Sequence, residues 1–352
     1  MYGEMKQLHI VIVALVALIA FTSCEKVSPI GVLVSGTGVE DRVKMSNMFY
    51  LQHNGEFNFL YVPDSVDEYT FLVGADSHVT TDMGRMREMF DEGLGHDDLL
   101  YAHLGDIADT KAEYYINLEN LVDEYRWKYA KKNFVEFYKG EEDDDFDLTN
   151  PDLYIYEDTL LERVFDVDEV PLPFFPVVGN HDITHNGWAL WSNIFHSSFY
   201  DVYVIVDKET FTFDHFIFLD TASGTLGQEQ VKLIEEGVLD GTDNEEEFFK
   251  IRNTFVFGHT NIFRPSSLQF ASTFPREETF FLLEQFREWN VDIVFCGHVH
   301  KWDEQKVGNT YYITLDSMSE RNNPEPGDYL LRVHVKRDGS YSWERVHMAY
   351  KP

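Results

Sequence analysis

The amino-acid sequence predicts an α/β fold in which strands and helices pack in layers. Apolar runs rich in β-branched and aromatic residues recur along the chain, helical patterns lie between them, and five of the runs stop at a glycine. A continuous apolar run is typical of a strand that is covered on both faces. The alternation of such strands with helices is typical of a layered α/β domain.

The five predicted strands share one format, in which the glycine is followed by aspartate, asparagine or histidine. In chain order the segments are "YTFLVGADSH", "DLLYAHLGDIAD", "LPFFPVVGNHD", "NTFVFGHTN" and "VDIVFCGHVH". Two further strands, "DHFIFLDT" and "TYYITLDS", end at Asp220 and Asp316, where turn-forming or supporting roles are expected. The C-terminal "DYLLRVHVKRDGSYSWERV" predicts a hairpin with an Asp-Gly turn.

Helical patterns separate these strands. They are "RMREMFDEG" after the first strand, "KAEYYINLENLVDEYRWKYAKKNFVEFY" after the second, "GQEQVKLIEEGV" before the fourth and "EETFFLLEQFREW" before the fifth. Upstream of the first strand, a short helix is expected around residues 41–52 and a strand at residues 57–62. The aromatic segment "NGWALWSNIFHSSFY" is expected to serve packing rather than base stacking.

Composition limits the classes of function. The 352 residues, of which 44% are hydrophobic, are enough for one large domain or two smaller ones. Asp and Glu number 62 against 28 Lys and Arg, which gives a formal net charge of -34. Such a charge disfavours nucleic-acid partners, because phosphate backbones are bound by clustered basic residues. With only two cysteines, Cys24 and Cys296, a disulfide scaffold is excluded.

The N-terminal segment has the pattern of an export signal. Lys6 stands in a short polar stretch, an apolar run covers residues 8–21, and Thr22 and Ser23 precede Cys24. The run is shorter than the ~20 residues that span a bilayer and fits the apolar region of a signal peptide. Small residues before a cysteine resemble a bacterial lipoprotein cleavage site, which predicts a membrane anchor through a lipid on Cys24. A plain signal peptide and an uncleaved anchor remain alternatives.

Polar side chains follow the predicted strands at the edge where α/β sheets bind ligands. Because the carboxyl ends of parallel strands share an edge, residues far apart in sequence can meet there. Seven side chains of metal-ligand type occupy these positions: Asp76, His78, Asp106, Asn180, His259, His298 and His300.

These seven side chains offer carboxylate, amide and imidazole ligands but no thiolate. The mixture suits Mn, Fe or Zn better than Ca or Mg, which prefer all-oxygen shells. Because the set is larger than one tetrahedral ion requires, we expect two divalent ions that share a bridging carboxylate. Paired ions lower the pKa of a bound water and offset developing charge, which is a recurring solution for phosphate ester hydrolysis.

The motifs D-x-H, GD-x-x-D, GNHD, a later GH and G-H-x-H, in this order, resemble the calcineurin-like metallophosphoesterase family. The resemblance extends from about residue 69 to residue 352 and includes the block "FLDT…LGQEQ". It implies a four-layer α/β/β/α sandwich, in which two mixed β-sheets are flanked by helices.

The resemblance also implies a role for each site residue. The first metal would be held by Asp76, His78, Asp106 and His300. The second would be held by Asp106, Asn180, His259 and His298, so that Asp106 is the bridge. The catalytic positions of the family are matched by His181, as the proton donor, and by Asp182. Like Asp109, Asp182 stands at a motif position that more often orients ligands and loops.

These observations predict an exported, lipid-anchored phosphoester hydrolase that uses two metals and a metal-bridging hydroxide. Its substrate would be a small phosphomonoester or phosphodiester, and no protein partner can be inferred. The chain would face the periplasm or lie at the cell surface. The alternative is a non-catalytic surface lipoprotein that uses the same scaffold for binding.

The predicted organisation has three parts. Residues 1–23 form a signal peptide, residues 24–65 a lipid-anchored tether and N-terminal extension, and residues 66–352 the catalytic domain. An acidic and aromatic insertion is expected at about residues 138–170. It is either a solvated surface segment or a cap that covers the site and shapes substrate choice.

Overall fold

The structure is a computed structural model that describes residues 38–52, 59–140, 172–239, 250–263 and 274–349. The predicted signal peptide, Cys24 and residues 141–170 of the predicted insertion lie outside the described residues, and the division into three parts stays a prediction. Within the described residues, no helix has both the length and the apolar character needed to cross a membrane.

Helices and strands alternate along most of the described chain. The strands are β1 (Phe59–Tyr61), β2 (Glu68–Gly74), β3 (Leu100–His103), β4 (Phe174–Pro176), β5 (Tyr200–Asp207), β6 (Thr212–Phe218), β7 (Lys250–Phe257), β8 (Ile293–Cys296), β9 (Asp303–Val307), β10 (Thr310–Thr314), β11 (Gly327–Lys336) and β12 (Tyr341–Met348). The α-helices are α1 (Val39–Gln52), α2 (Gly84–Gly95), α3 (Ala112–Gly140), α4 (Gly187–Phe195), α5 (Gly227–Glu235) and α6 (Arg276–Glu288).

The strands form two mixed sheets. The larger sheet has seven strands in the order β1-β5-β6-β7-β8-β10-β9, and the smaller has five in the order β12-β11-β2-β3-β4. Strands β2, β3 and β4 run parallel in the smaller sheet, and β6, β7, β8 and β10 run parallel in the larger one. Each parallel group therefore presents its carboxyl ends at one edge.

The two sheets pack face to face around an aromatic core. The ring of Phe71 from β2 lies 5.1 Å from that of Phe216 and 5.2 Å from that of Phe255, centroid to centroid. Edge-on contacts of this kind add about 0.5–1.5 kcal/mol each beyond the burial of apolar surface. The core fixes the separation of the sheets and so brings their carboxyl edges together.

Helices cover the outer face of each sheet. Trp191 and Phe90 belong to a second apolar cluster, between the smaller sheet and helices α2, α3 and α4. Leu233 and Phe286 belong to a third, between the larger sheet and helices α1, α5 and α6. The architecture is thus the four-layer α/β/β/α sandwich that the resemblance implied.

The structure contains elements that the sequence did not predict. Helix α4 falls in the aromatic segment assigned to packing, and Trp188 and Trp191 are indeed buried there. Strand β9 is charged and largely exposed and has no apolar run. It is a strand because it pairs with β10 over five residue pairs, which local sequence cannot reveal.

Candidate metal centre

The seven predicted ligands lie at the facing carboxyl edges of the two sheets. In the smaller sheet, Asp76 follows β2, Asp106 follows β3 and Asn180 follows β4. In the larger sheet, His259 follows β7, and the "GHVH" pair, His298 and His300, follows β8. The sandwich therefore brings together side chains that are separated by more than two hundred residues of sequence.

One group of ligand atoms comprises Asp76, His78, Asp106 and His300, all within 4.8 Å of one another. The Nε2 atom of His300 lies 3.3 Å from Asp76 Oδ1 and 3.3 Å from His78 Nε2. The four residues are those that the resemblance assigned to the first metal. We refer to them as the first group.

A second group lies beside the first and shares Asp106 with it. Ligand atoms of Asp106, His259 and His298 also lie within 4.8 Å of one another. Asn180 joins them, since its Oδ1 atom is 2.9 Å from His259 Nε2, and that nitrogen is 3.1 Å from His298 Nδ1. These four residues, which the resemblance assigned to the second metal, are referred to as the second group.

Asp106 faces both groups through a single oxygen atom. Its Oδ2 lies 3.8 Å from His78 Nε2 and 3.5 Å from His259 Nε2. Its other oxygen, Oδ1, accepts a 2.7 Å hydrogen bond from the backbone N–H of His181. The side chain is therefore held by one oxygen, while the other lies between the two groups.

The contact between His259 and Asn180 tests whether cations fit this site. His259 Nδ1 lies 2.7 Å from the carbonyl oxygen of Leu104, which can only accept, so Nδ1 carries the hydrogen. The other ring nitrogen, Nε2, faces Asn180 Oδ1 at 2.9 Å. A cation between these two atoms would be held by an imidazole nitrogen and an amide oxygen, which are suitable ligands for Mn, Fe or Zn.

The backbone is strained at five of the seven predicted ligands. Positive φ angles occur at Asp76 (50°), His78 (42°), Asp106 (52°), His298 (66°) and His300 (58°). Left-handed backbone at residues other than glycine costs about 1–3 kcal/mol each and concentrates at functional sites. The recurrence of this conformation supports a shared function for the loops.

The glycines of the motifs allow the loops to approach closely. A Cβ atom at Gly179 would lie 2.1 Å from Asp106 N and 2.3 Å from Asp106 Oδ1. A Cβ atom at Gly297 would lie 2.6 Å from Asp76 Oδ2. Both contacts are with groups of the candidate site, which explains why the predicted strands stop at glycine.

A family model for calcineurin-like phosphoesterases matches residues 69–302. The chain belongs to the calcineurin-like phosphoesterase family. The matched region includes all seven predicted ligands, and the clustered His and Asp side chains are compatible with a divalent metal site. No curated protein has a significant sequence match to this chain.

Solved structures with the same general architecture share little sequence with this family member. The chain is similar to GAP50, the anchor in the inner membrane complex of Plasmodium, with 13% identity, 81% of this chain and 90% of that chain covered, and a TM-score of 0.47. It is similar to a dimetal phosphatase from Danio rerio, with 11% identity, coverage of 76% and 93%, and a TM-score of 0.38. A putative 5'-nucleotidase from Staphylococcus aureus has 12% identity, coverage of 81% and 55%, and a TM-score of 0.39.

The carboxylates of the centre are held in their charged form. Burial alone would raise the pKa of Asp106, but the surrounding histidines, His259 first among them, hold that pKa well below its usual range. At Asp76 burial is likewise outweighed, here by the hydrogen bond with His300, and the pKa is lowered. Both groups are therefore ionised at neutral pH, as ligands to a cation must be.

The residue predicted as proton donor, His181, lies at the edge of the centre. Its ring packs edge-on against that of His78 with 4.7 Å between centroids, and its side chain is 17% exposed. Asp109 Oδ1 lies 3.4 Å from His78 Nδ1 and 3.9 Å from His181 Nδ1. One carboxylate thus faces both rings, in a position to orient them.

Asp182 lies beneath the centre and joins its loops. Its Oδ2 accepts a 2.8 Å hydrogen bond from Gly179 N, and its Oδ1 accepts from Ile107 N and from the hydroxyl of Tyr115 at 3.1 and 3.0 Å. Burial, reinforced by the charge of Asp106, raises the pKa of Asp182 to about 6. Through these contacts Asp182 links the loop of Asp106 to the loop of Asn180.

Two supporting residues at the centre carried no clear sequence signal. Asn322 Nδ2 lies 2.8 Å from His300 Nδ1, but its segment reads as an ordinary polar loop. Thr221 Oγ1 accepts a 2.7 Å hydrogen bond from the backbone N–H of His259. Thr221 belongs to the "FLDT" block, and that block was the only signal for it.

Proposed function

We propose that this chain is a dinuclear metal-dependent hydrolase of small phosphoesters. The observation that carries the proposal is the position of Asp106 Oδ2 between two groups of ligand atoms, each with histidines from different loops. A single-ion site would not need a carboxylate oxygen that faces both groups. Membership of the phosphoesterase family supports a phosphoester as the bond that is cleaved.

The donor atoms indicate which residues hold each ion. Asp76, His78 and His300 would hold one ion and Asn180, His259 and His298 the other, with Asp106 between them. When bound, two ions of Mn, Fe or Zn supply Lewis-acid stabilisation of the phosphoryl oxygens and lower the pKa of water in the site. The mixed nitrogen and oxygen ligands favour these metals over Ca and Mg.

The protein side chains would orient the substrate and transfer protons. His181 is partly exposed beside the first group, so its ring can reach the leaving oxygen of a bound phosphoester and protonate it. Asp106 Oδ1 holds the backbone of His181, and the Asp109 carboxylate faces its ring. The residue that donates the proton is thus tied to the residue that lies between the two groups.

The composition favours small substrates. A formal net charge of -34 repels long polyanions such as nucleic acids. Monoesters and diesters both remain candidates, because the ligand set is common to both reactions. The substrate class therefore has to be determined by comparing the two kinds of ester directly.

The same proposal includes export and a lipid anchor on Cys24. Its support is the polar, apolar and small-residue order of residues 1–24. The test is incorporation of a labelled fatty acid into the full chain in a bacterial host. Label in the wild type and none in Cys24→Ala is the expected result, and equal labelling of both would contradict the anchor.

The hydrolase proposal is tested with p-nitrophenyl phosphate and bis-p-nitrophenyl phosphate in the presence of Mn²⁺. The wild type should release p-nitrophenol from at least one ester, and Asp106→Asn and His259→Ala should lose both activity and bound metal. His334→Ala is the control, because this histidine contacts Glu68 on the surface of the smaller sheet. Turnover that persists after complete metal removal would contradict the mechanism, and no release from either ester would favour a binding protein.

A further inference from the structure

Helix α1 precedes the region matched by the family model, yet it is built into the domain. The family match begins at residue 69, whereas α1 covers Val39–Gln52. Val43 is fully buried in the cluster beneath the larger sheet. Glu40 accepts hydrogen bonds of 2.6 and 2.7 Å from the backbone N–H groups of Gln228 and Glu229, at the start of α5. The helix is thus fixed to the domain at several points.

One of these points is a buried ion pair between Arg42 and Asp220. Arg42 Nε and Nη2 donate 2.8 Å hydrogen bonds to the two oxygens of Asp220, and the side chains are 1% and 0% exposed. Arg42 Nη2 also donates to the hydroxyl of Ser223 at 3.1 Å. A paired arginine of this kind fixes the position of the loop that carries both partners.

Thr221, the residue after Asp220, holds the backbone of the predicted metal ligand His259. Thr221 Oγ1 accepts from the backbone N–H groups of His259 and Thr260 at 2.7 and 2.9 Å. In return, the hydroxyl of Thr260 donates to the carbonyl oxygen of Thr221 at 2.8 Å. The loop after β6 and the loop after β7 are therefore locked to each other at the position of His259.

Helix α1 also reaches the helix that follows the loop of Asn180. The guanidinium carbon of Arg42 lies 5.9 Å from the centre of the Trp188 ring in α4. The hydroxyl of Ser46 accepts a 2.8 Å hydrogen bond from Ser198 N, just beyond the end of α4. Arg42 thus contacts the loop that supports His259, and helix α1 also contacts the helix that follows the loop of Asn180.

We propose that Arg42 is a positioning residue for the second group of metal ligands. It fixes Asp220, and through Thr221 it places His259 at the distance from Asn180 and His298 at which one cation can bind all three. The first group is supported by a different loop, in which Ser317 donates to Asp76 O and Asn322 contacts His300. Loss of Arg42 should therefore weaken the binding of one ion and leave the binding of the other unchanged. This inference rests on the proposed two-metal function.

The test is calorimetric titration of the metal-free protein with Mn²⁺. Arg42→Met should weaken one of two binding events by about 10–100-fold, the range typical for residues that hold metal ligands in place. The weakened event should be the one lost in Asn180→Ala and retained in His78→Ala. Because metal binding is measured directly, the result does not depend on turnover.

Arg332→Met is the matched control for the loss of a buried arginine. Arg332 Nε and Nη2 donate 2.9 Å hydrogen bonds to the two oxygens of Asp98, and the side chains are 4% and 0% exposed. This pair joins β11 to the loop before β3. We expect both Arg332→Met and Arg42→Met to lower the free energy of unfolding, but Arg332→Met should keep both binding events.

A second variant covers the case in which Arg42→Met fails to fold. Thr221→Val keeps the shape of the side chain but removes the oxygen that accepts from His259 N, and it should weaken the same binding event. The inference would be overturned if folded Arg42→Met or Thr221→Val bound two ions with wild-type affinity. It would also be overturned if both binding events were weakened equally. A wild type that binds fewer than two ions would instead overturn the two-metal function itself.

Discussion

The Nε2 atoms of His78 and His300 lie 3.3 Å apart and face each other across the first group. Only one hydrogen can lie between two such nitrogens, and a neutral pair offers at least one lone pair to any cation in the gap. The carboxylates of Asp76 and Asp106 lie beside the same gap. Two carboxylates with lowered pKa and two imidazoles thus lie together at the junction of the sheets, an arrangement compatible with a divalent metal site.

Metal binding should stabilise the fold. A ligand that binds only the folded state adds about 2.7 kcal/mol when its concentration is 100 times its dissociation constant. We therefore expect Mn²⁺ to raise the midpoint of thermal unfolding, measured by circular dichroism, and a chelator to reverse the rise. Asp106→Asn should show a much smaller shift. An unchanged midpoint for the wild type would count against the metal centre.

Asn322 should affect the Mn²⁺ affinity of the first group, because its side chain favours one position for the hydrogen on the ring of His300. Its Nδ2 atom faces His300 Nδ1 at 2.8 Å, whereas binding of a cation at Nε2 requires a hydrogen on Nδ1 and an acceptor beside it. Rotation of the amide by half a turn supplies that acceptor. Asn322→Asp, which can only accept, should keep or raise Mn²⁺ affinity.

Asn322→Leu, which has no acceptor, should in contrast lower Mn²⁺ affinity by about 10-fold or more. Titration calorimetry measures both variants under the same conditions. Equal affinities of the aspartate and leucine variants would rule out control by an acceptor at this position.

Gly179 should not tolerate a side chain. In Gly179→Ala the added methyl group would meet the backbone nitrogen of Asp106 at 2.1 Å, and Asp106 cannot withdraw without leaving both groups. Overpacking of this kind typically costs about 1–3 kcal/mol, and here it should also weaken metal binding. Urea unfolding and Mn²⁺ titration measure the two effects.

Gly95→Ala is the control for this substitution. A Cβ atom at Gly95 meets nothing within 4 Å, and the residue ends helix α2. Alanine there should leave the free energy of unfolding unchanged or raise it by up to ~1 kcal/mol. Destabilisation by Gly95→Ala as large as that by Gly179→Ala would remove the steric explanation.

His103 should make the fold sensitive to acid. Burial lowers its pKa to about 3, and neither ring nitrogen has a hydrogen-bond partner in the described residues. Because the unfolded chain binds a proton near pH 6.5 and the folded chain does not, stability is full above that pH and is lost as the pH falls. The loss is about 1.4 kcal/mol per pH unit below 6.5.

His103→Leu should remove this contribution, since leucine cannot bind a proton. Urea unfolding of both chains at pH 7 and pH 5, with chelator present, measures the difference. The free energy of unfolding should fall less between the two pH values in the variant. A fall as large as that of the wild type would show that His103 is protonated in the fold.

The signals from which the sequence predicted the candidate centre are local. A strand that ends at glycine and then presents Asp or His is visible within ten residues, and the order of five such segments is visible by inspection. The same local logic predicted the strands before the five loops and the long helix after β3. It missed β9, which has no apolar run and exists because β10 lies beside it.

The supporting contacts were beyond local patterns. Arg42 and Asp220 are 178 positions apart, and Asn322 and His300 are 22 positions apart with β9 and β10 between them. A charged residue on a helix usually faces solvent, so nothing in the sequence around Arg42 indicates that its side chain is buried. Its role follows only from the packing of α1 against the loop after β6.

By itself, the sequence determined the layered fold, the family and the seven candidate ligands, because apolar periodicity, glycine stops and ligand-type side chains are properties of short segments. The tertiary structure decided the distances between those ligands and which oxygen of Asp106 faces both groups. It also decided which distant residues hold them. These relationships depend on distances between loops of two different sheets, and such distances exist only after the aromatic core has joined the sheets.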